Sequence, residues 1–347
     1  MQYRRLGRTD LQVSLLCLGS MTWGTQNTTE EGHAQIDRSL EAGINFVDTA
    51  EMYPVNPISA ETQGETERVI GRWFAKGGAR DKMVLATKVS GNGATGARKG
   101  EPISGDAMRR AIEGSLTRLQ TDYVDLYQLH WPNRGSYHFR QYWRYDPTRQ
   151  SRDDTRAHIQ DVLETAAALI EEGKIRHIGL SNESAWGTQQ FLEIAETQGL
   201  PRVVSIQNEY SLLCRIYDLD LAELSHNEDV GLLAFSPLAV GLLSGKYQKG
   251  QTPEGSRKTL NPNLGGRLGP RVEPAVAAYL EIAQRHGLDP CQMALAWCYS
   301  RPFMASAIFG ATKMDQLEVA LGAADLTLSD ETLEEIDAAN RAHPMPY

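Results

Sequence analysis

The sequence predicts an α/β fold, a (β/α)8 TIM barrel, on three observations. Eight short apolar runs with the composition of strands recur along the chain. Amphipathic helical patterns separate most of these runs, and such alternation is typical of a parallel sheet with right-handed crossovers. The turn after the first run lacks the GxGxxG spacing with which an open, doubly wound NAD-binding sheet usually begins. Eight repeating units close naturally into a barrel, which is therefore favoured over the open sheet.

The eight apolar runs read as buried strands. In the second run, Ile44, Phe46 and Val47 suit a pleated, enclosed surface, and the run ends abruptly at Asp48. The runs lie at residues 15–19, 44–48, 83–88, 124–130, 175–181, 203–207, 231–236 and 305–310. Before them, residues 2–13 predict a small N-terminal β-hairpin, with turn-forming residues at positions 7–10.

Helical periodicity lies between the runs. Apolar residues repeat on one helical face from Met108 to Leu119 and again from Ile159 to Ile170. Gly173 stands where a glycine that caps a helix C-terminus is expected. Further helices are predicted over residues 69–74 and 313–321.

Three long segments interrupt this rhythm, at residues 90–102, 132–155 and 248–272. If they follow strands three, four and seven, they rim the active face of the barrel, where long loops are commonly functional. The alternative is that they are ordinary surface loops, and it stays open most of all for residues 90–102.

The totals exclude several classes of protein. The 347 residues suit one barrel domain over residues 1–347, and the net charge of −9 disfavours a nucleic-acid partner. No apolar stretch approaches the roughly 20 residues of a membrane helix, and the N-terminus lacks the apolar region of a secretory signal. The four cysteines are scattered without metal-ligand spacing, which indicates a reducing, cytoplasmic setting and no metal. The oligomeric state stays open.

Polar residues end three consecutive runs. Run two ends at Asp48, run three at Lys88 and run four at His130, while Tyr53 lies five positions after Asp48. The C-terminal ends of the strands form the mouth of a barrel, where active sites lie. Each residue alone has an ordinary explanation, as a helix cap, a solvated strand end or a core histidine. All four together at one mouth favour a catalytic site.

The chemistry that suits this set is acid catalysis. A tyrosine titrates near about 10, and an adjacent ammonium is expected to lower that pKa. Asp48 would hold the ammonium of Lys88, and the imidazole of His130 would orient a carbonyl oxygen or share the proton. Such a site polarises a carbonyl but carries no electrons, so it requires a hydride cofactor.

The later strand ends offer groups that suit a nucleotide. Asn182 and Gln207 are amides suited to a carboxamide, and Tyr210 offers a ring for stacking. Residues 310–312 precede a predicted helix whose N-terminus can bind a phosphate. Residues 241–246 can cover a pyrophosphate, with Lys246 as its counter-charge.

Taken in order, these stretches resemble the aldo-keto reductases, in the branch that contains the potassium-channel β-subunits, and most of all the bacterial Tas-like group. The matching stretches are residues 19–24, 43–50, 53, 87–88, 119–130, 175–182, 207–210, 236–238, 241–247 and 310–312. The resemblance extends from about residue 3 to residue 340, so it covers essentially the whole chain.

The resemblance implies a barrel that binds extended NADPH or NADP+ without a Rossmann domain. It places the family's catalytic tetrad on Asp48, Tyr53, Lys88 and His130, with Tyr53 as the general acid. The implied nicotinamide contacts are Ser181, Asn182, Gln207 and Tyr210. The implied pyrophosphate contacts are Ser236, Leu238, Gly241, Ser244 and Lys246, and those at the adenosine end are Gly310, Thr312, Lys313 and Gln316. Gly19, Ser20, Met21 and Asp48 complete the implied cofactor site.

One segment departs from the family pattern. After Gln316 and Leu317 the family usually has a Glu-Asn pair, whereas this chain continues with Glu318, Val319 and Ala320. The preference for NADPH over NADH is therefore expected to depend on Lys313.

The expected activity is reduction of aldehydes and ketones, with a small carbonyl compound as the partner. Trp23, Tyr53, His130, Trp131 and the aromatic segment 132–155 are expected to shape an apolar substrate pocket. The alternatives are a redox sensor that retains its nucleotide with very slow turnover, and a barrel isomerase without a cofactor.

Overall fold

The computed structural model describes residues 1–94 and 96–347. The strands are β1 (Tyr3–Arg5), β2 (Gln12–Ser14), β3 (Leu16–Gly19), β4 (Phe46–Asp48), β5 (Val84–Val89), β6 (Val124–Leu129), β7 (Ile175–Ser181), β8 (Val203–Glu209), β9 (Gly231–Phe235) and β10 (Met304–Phe309). Strands β3 to β10 pair in parallel and close into a barrel, because β10 pairs with both β9 and β3. Each predicted run overlaps one of these strands, so the prediction of a (β/α)8 TIM barrel is confirmed.

Helices follow the barrel strands. They are α1 (Thr29–Glu41), α2 (Glu65–Ala75), α3 (Gly105–Leu119), α4 (Arg152–Glu171), α5 (Ala185–Gln198), α6 (Asp220–Glu228), α7 (Arg257–Leu260), α8 (Val272–Arg285), α9 (Pro290–Ser300), α10 (Met314–Leu321) and α11 (Asp330–Ala342). Several begin at a capping side chain, such as Thr28, which forms a capping box with Glu31. Within the described residues, no helix has both the length and the apolar character needed to cross a membrane.

The predicted hairpin is present and closes one end of the barrel. Strands β1 and β2 pair antiparallel, with Tyr3 opposite Ser14. Leu6 and Val13 from this hairpin are buried in one cluster with Phe46 and Leu126, two inward-facing barrel residues. Gly7 has a positive φ of 58°, and a Cβ there would lie 2.8 Å from the carbonyl oxygen of Val204, so the hairpin sits tightly against the barrel floor.

Strand alternation changes the barrel interior from apolar to polar toward the mouth. Side chains two positions apart on a strand share one face. The apolar interior cluster includes Phe46 of β4, Ala86 of β5 and Leu126 of β6. Two positions further along these strands stand Asp48, Lys88 and Gln128, all buried. The mouth is therefore lined with polar groups that rest on an apolar floor.

The three long segments follow the C-terminal ends of β5, β6 and β9, as predicted. The second ends where α4 begins, at Arg152, and the third contains α7 and ends where α8 begins, at Val272. Arg140 Nη1 donates a hydrogen bond of 3.0 Å to the carbonyl oxygen of Gly265, which joins the second segment to the third. These segments therefore lie on the same side of the barrel as the polar mouth.

Candidate active site

The centre of the mouth is a buried ion pair between two strands. Lys88 Nζ lies 2.6 Å from Asp48 Oδ2 and donates a second hydrogen bond of 2.7 Å to the carbonyl oxygen of Thr49. The side chain of Lys88 is 0% exposed and that of Asp48 is 4% exposed. Burial alone would lower the pKa of Lys88, but the carboxylate of Asp48 and the phenol of Tyr53 more than offset it. Lys88 is therefore held as a cation inside the protein.

Tyr53 and His130 complete the group. The ring centroids of Tyr53 and His130 are 5.8 Å apart at an interplanar angle of 73°. Lys88 Nζ lies 4.9 Å from the centroid of the Tyr53 ring. Tyr53 itself is partly exposed. The four residues predicted from separate strand ends and one loop thus lie together in space.

The pKa of Tyr53 is set by opposing effects. Burial has the largest effect and raises this pKa, while the nearby ammonium of Lys88 lowers it, and the net result lies above the ordinary value. The predicted lowering by the ammonium is present, but burial outweighs it, and a sequence does not report how closely the phenol is enclosed. Tyr53 therefore carries its proton at neutral pH.

His130 is a neutral imidazole. Burial, and secondarily the charge of Lys88, hold the pKa of His130 well below its usual range. Its Nδ1 is buried and has no hydrogen-bond partner among the described residues. The carbonyl oxygen of His130 accepts a hydrogen bond of 2.9 Å from Asn182 Nδ2, which fixes the end of β6 against the end of β7.

Two amides bind the other oxygen of Asp48. Gln207 Nε2 and Gln128 Nε2 donate to Asp48 Oδ1 over 2.9 and 3.1 Å. Gln207 Nε2 also donates to Gln128 Oε1 over 3.1 Å. Gln128 was missed from the sequence, although the inward series Leu126, Gln128 and His130 contained the signal.

Groups suited to a nicotinamide carboxamide lie beside this centre. Ser181 Oγ donates to the carbonyl oxygen of Gln207 over 2.8 Å. Asn182 has a positive φ of 54°, and its Oδ1 is buried with no partner in the part of the chain that the structure describes. A buried acceptor of this kind suits an N–H donor from a ligand, since buried polar atoms are nearly always paired.

The segment predicted to cover the pyrophosphate is a tight turn after β9. Ser236, Val240 and Gly241 have positive φ angles of 54°, 55° and 93°, so the chain turns tightly there. Ser244 Oγ donates to the carbonyl oxygen of Gly241 over 2.8 Å. Leu238 and Lys246 are partly exposed beside this turn.

The predicted adenosine end is an exposed surface at the start of α10. Lys313 and Gln316 are exposed, and Gln316 Oε1 accepts a hydrogen bond of 3.0 Å from the backbone N–H of Thr312. Glu318 is bound to Arg38, with Nε–Oε1 and Nη2–Oε2 distances of 2.6 and 2.8 Å. Gly310 lies against β3, since a Cβ there would meet the carbonyl oxygen of Gly19 at 3.4 Å.

Comparison with known proteins agrees with this arrangement. The sequence model of the Aldo/keto reductase family matches residues 15–341. The chain belongs to this family. Protein tas of Escherichia coli K12 is 46% identical over 352 residues, which cover 100% of this chain and 99% of that protein. The uncharacterized oxidoreductase YrpG of Bacillus subtilis is 32% identical, over 96% of this chain and 94% of YrpG. A probable voltage-gated potassium channel subunit beta of Oryza sativa is also 32% identical, over 99% and 98% of the two chains.

As a member of the aldo/keto reductases, the chain is an oxidoreductase. That family generally uses a nicotinamide dinucleotide, and the residues at the mouth fit one. Asn182 Oδ1, which has no partner among the described residues, and the tight turn after β9 lie at the C-terminal ends of the barrel strands, the face that bears the buried ion pair.

Tyr210 does not stand where the sequence analysis placed it. Its side chain is 0% exposed, its ring stacks on Trp297 at 5.1 Å and 12°, and its hydroxyl donates to Asp218 Oδ1 over 2.6 Å. A ring enclosed in this way has no open face for a nicotinamide, so the prediction of stacking was wrong. Strand alternation explains the error, because Gln207 faces inward and Tyr210, three positions later, faces outward.

Phe235 is the aromatic residue that the mouth presents instead. It is the last residue of β9, lies opposite Glu209 in the strand register and is partly exposed. Leu233, two positions earlier, belongs to the apolar interior cluster, so Phe235 faces the same way at the level of the mouth. The sequence itself contains this alternation.

Trp23 is also not at the mouth. Its side chain is 0% exposed, and its Nε1 donates to Gln35 Oε1 of α1 over 2.9 Å. Thr66 of α2 donates to its carbonyl oxygen over 2.8 Å, so Trp23 is a core residue between two helices. The prediction that Trp23 lines the substrate pocket was wrong, because a loop residue has no periodicity that reveals its direction.

Of the other residues predicted near Trp23 and His130, one supports a barrel strand and others line the mouth or are partly exposed. Ser20 is buried, and its Oγ donates to the carbonyl oxygen of Asp48 over 2.8 Å, so its hydroxyl supports β4. Met21 is partly exposed. Trp131 lies against His130, with ring centroids 4.9 Å apart, and stacks on Phe139 at 5.2 Å.

Arg257 of α7 is a third residue that the sequence analysis missed. Burial and the charges of Arg267 and Arg140 lower the pKa of Arg257 to about 10, while the phenols of Tyr247 and Tyr53 act in the opposite direction. Its Nε is buried without a hydrogen-bond partner among residues 1–94 and 96–347. Arg257 is partly exposed in the segment that follows β9, where its charge can attract an anionic group.

Proposed function

We propose that the protein is an NADPH-dependent oxidoreductase that reduces aldehydes and ketones to alcohols, with Tyr53 as the general acid. The observation that carries the proposal is the buried Lys88 ammonium, bound to Asp48 at 2.6 Å and placed 4.9 Å from the centre of the Tyr53 ring. An oxidoreductase with this centre can protonate an oxygen at the moment when negative charge develops on it.

The roles of the four residues follow from their charges. A bound nicotinamide supplies or accepts the hydride. Tyr53 donates its proton to the carbonyl oxygen, and the ammonium of Lys88 stabilises the phenolate that remains. Asp48 keeps Lys88 in place, and neutral His130 orients the carbonyl oxygen through a hydrogen bond. In the direction of alcohol oxidation, Tyr53 takes the proton back.

The substrate is proposed to enter beside Trp131. This ring, its neighbour His130 and the stacked Phe139 form an apolar wall next to Tyr53. A small carbonyl compound with an apolar substituent suits such a wall.

The test is a panel of aldehydes and ketones followed by the absorbance of NADPH, with the wild type compared with Tyr53→Phe. The variant should lose turnover yet bind NADPH with an unchanged dissociation constant, measured by fluorescence. Tyr3→Phe, an exposed tyrosine in β1 of the hairpin that closes the other end of the barrel, is the matched control and should stay active. Retained turnover in Tyr53→Phe would refute the role of the general acid.

The preference for NADPH is proposed to depend on Lys313, because Val319 and Ala320 offer no polar contact near the adenine. Its exposed ammonium can pair with a 2′-phosphate. Lys313→Ala should bring the dissociation constants of NADPH and NADH closer together. Equal constants in the wild type would contradict this proposal.

A second function, a redox sensor, is favoured by the likeness to the protein from Oryza sativa whose name describes a channel subunit. Such a sensor would retain its nucleotide tightly and turn over very slowly. Rapid NADPH consumption with small aldehydes would favour the enzyme, and a nucleotide that survives gel filtration with negligible turnover would favour the sensor.

A further inference from the structure

Gln128 is a buried amide in the layer of the barrel interior that also holds Asp48 and Lys88. It is 0% exposed, and the inward-facing residue before it on β6, Leu126, belongs to the apolar interior cluster. An amide at such a place is costly unless both of its ends are hydrogen-bonded. The hydrogen-bond partners of Gln128 therefore indicate its role.

Both ends of the Gln128 amide are used. Its Nε2 donates to Asp48 Oδ1 over 3.1 Å, and its Oε1 accepts from Gln207 Nε2 over 3.1 Å. One side chain thus connects the carboxylate that anchors Lys88 to the amide at the end of β8.

The chemistry of Asp48 fixes the orientation of both amides. A carboxylate oxygen that faces two amides can only accept, so both Gln128 and Gln207 must turn their NH2 groups toward it. The NH2 group of Gln207 is thereby committed to Asp48 and Gln128, at 2.9 and 3.1 Å. Its oxygen is then the atom left for a ligand, and it accepts an N–H donor.

We infer that Gln128 is a positioning residue, which holds the Asp48–Lys88 pair in register with the carboxamide-binding face of Gln207. This inference rests on the proposed function. The buried amide of Gln128 thus aligns the Asp48–Lys88 pair, which acts on the proton, with Gln207, which orients the cofactor. Removal of the amide frees Gln207 to rotate and leaves Asp48 Oδ1 with one donor fewer.

A glutamic acid substituted at position 128 tests the role of the amide, because the carboxylate of Asp48 lies beside it. The titratable groups that face this layer are Asp48 and Lys88, with Cys17 in the layer below them. A glutamic acid at position 128 would lie beside Asp48, and both burial and that neighbouring carboxylate would raise its pKa. When protonated, it reproduces one donor and one acceptor of the glutamine. When ionised, it repels Asp48 and cannot donate.

The experiment compares Gln128→Leu and Gln128→Glu with the wild type. Gln128→Leu should lower kcat/KM by roughly 10-fold to 100-fold, the loss of a hydrogen bond to a charged group, and should raise the dissociation constant of NADPH. Gln128→Glu should approach wild-type activity at low pH and lose it as the pH rises through the pKa of the new carboxyl group. The wild type should show no such inflection.

Ser205→Ala is the matched control. Ser205 is buried inside the barrel, and a Cβ built on Gly179 would lie 2.7 Å from its Oγ and 3.3 Å from Gln128 Cγ, so the two side chains are neighbours. This variant should leave the pH profile and the NADPH dissociation constant unchanged. Gln128→Glu at low pH serves as the folded reference if Gln128→Leu is unstable.

Two results would overturn the inference: a Gln128→Glu profile that matches the wild type, or NADPH dissociation constants that are unchanged in both variants. Failure of the proposed function is distinguishable from either result. It would be seen as absent carbonyl reduction in the wild type itself, and the NADPH dissociation constants of the variants would still decide the role of Gln128.

Discussion

Two buried carboxylates stand at the C-terminal ends of barrel strands, and the cations that pair with them come from different kinds of element. Asp48, at the end of β4, binds Lys88 at 2.6 Å. Glu209, at the end of β8, binds Arg267 through Nε at 2.6 Å and through Nη2 at 2.8 Å. The side chains of both pairs are almost fully enclosed. The first pair is built from barrel strands, whereas the second joins a strand to a loop.

The remaining partners sharpen this difference. Asp48 receives amides from β6 and β8, both fixed by the barrel. Glu209 receives the hydroxyl of Tyr142, from the segment after β6, at 3.2 Å and that of Tyr347 at 3.0 Å. The Asp48–Lys88 pair lies beside Tyr53, the proposed general acid, whereas the Glu209 pair joins three separate segments of the chain. We therefore expect the first pair to govern activity and the second to govern stability.

The largest expected effect is on turnover. Lys88→Met removes the ammonium beside Tyr53 and should lower kcat by about 10²-fold to 10⁴-fold, the usual range for lost acid catalysis. Arg267→Met should change kcat far less. Steady-state rates with NADPH and one aldehyde measure both variants, with thermal unfolding as the check on folding. Equal losses of kcat would abolish the distinction between the two pairs.

The next effect is on stability. Glu209→Gln leaves the guanidinium of Arg267 buried without its carboxylate, and removal of one partner from a buried pair costs about 3–5 kcal/mol. Chemical denaturation measures this loss as a change in the free energy of unfolding. The exposed pair Arg38–Glu318 offers the control, because Glu318→Gln should change stability little. The double variant of Glu209→Gln with Arg267→Met should recover part of the loss.

The same pair has a pH dependence of known sign. Burial raises the pKa of Glu209, but Arg267 and the other donors more than offset it, so this pKa lies below its ordinary value of 4.5. A carboxyl group with a lowered folded pKa contributes stability above its unfolded pKa and loses it as the pH falls through the folded value. The stability gap between wild type and Glu209→Gln should be full at pH 7 and shrink below about pH 4.5. A gap that is constant between pH 7 and pH 3.5 would contradict the assignment.

The two buried pairs also differ in how far the sequence predicts them. Asp48, Lys88 and His130 end apolar runs, and a barrel brings the ends of consecutive strands together, so local pattern and topology were sufficient. Glu209 ends a strand too, but its partners Arg267, Tyr142 and Tyr347 lie 58, 67 and 138 positions away in the chain. No periodicity connects loop residues across such separations, because their directions are set by packing.

One of the wrong predictions about the site has the same cause, because packing sets the direction of a loop residue. Trp23 lies in a loop, and its burial between α1 and α2 follows from tertiary packing alone. Tyr210 and Phe235 differ, since alternation along β8 and β9 places one outward and the other inward. That signal was present, but its use requires a known inward residue on each strand, such as Gln207 or Leu233.

The smallest expected effect is a difference in stability between removing the Tyr347 hydroxyl and removing the Tyr142 hydroxyl, both of which donate to Glu209. Tyr347→Phe removes one donor at 3.0 Å from Oε1, which still accepts from Arg267 Nε at 2.6 Å, so the loss should be about 1–2 kcal/mol. Tyr142→Phe should cost less, because its distance of 3.2 Å to Oε2 is longer. Since both hydroxyls share one carboxylate, the double variant should lose an amount different from the sum of the single losses. If the losses in the free energy of unfolding were strictly additive, Glu209 would not couple the two segments. Glu209 would then resemble Asp48 only in its position at a strand end and in its buried ion pair.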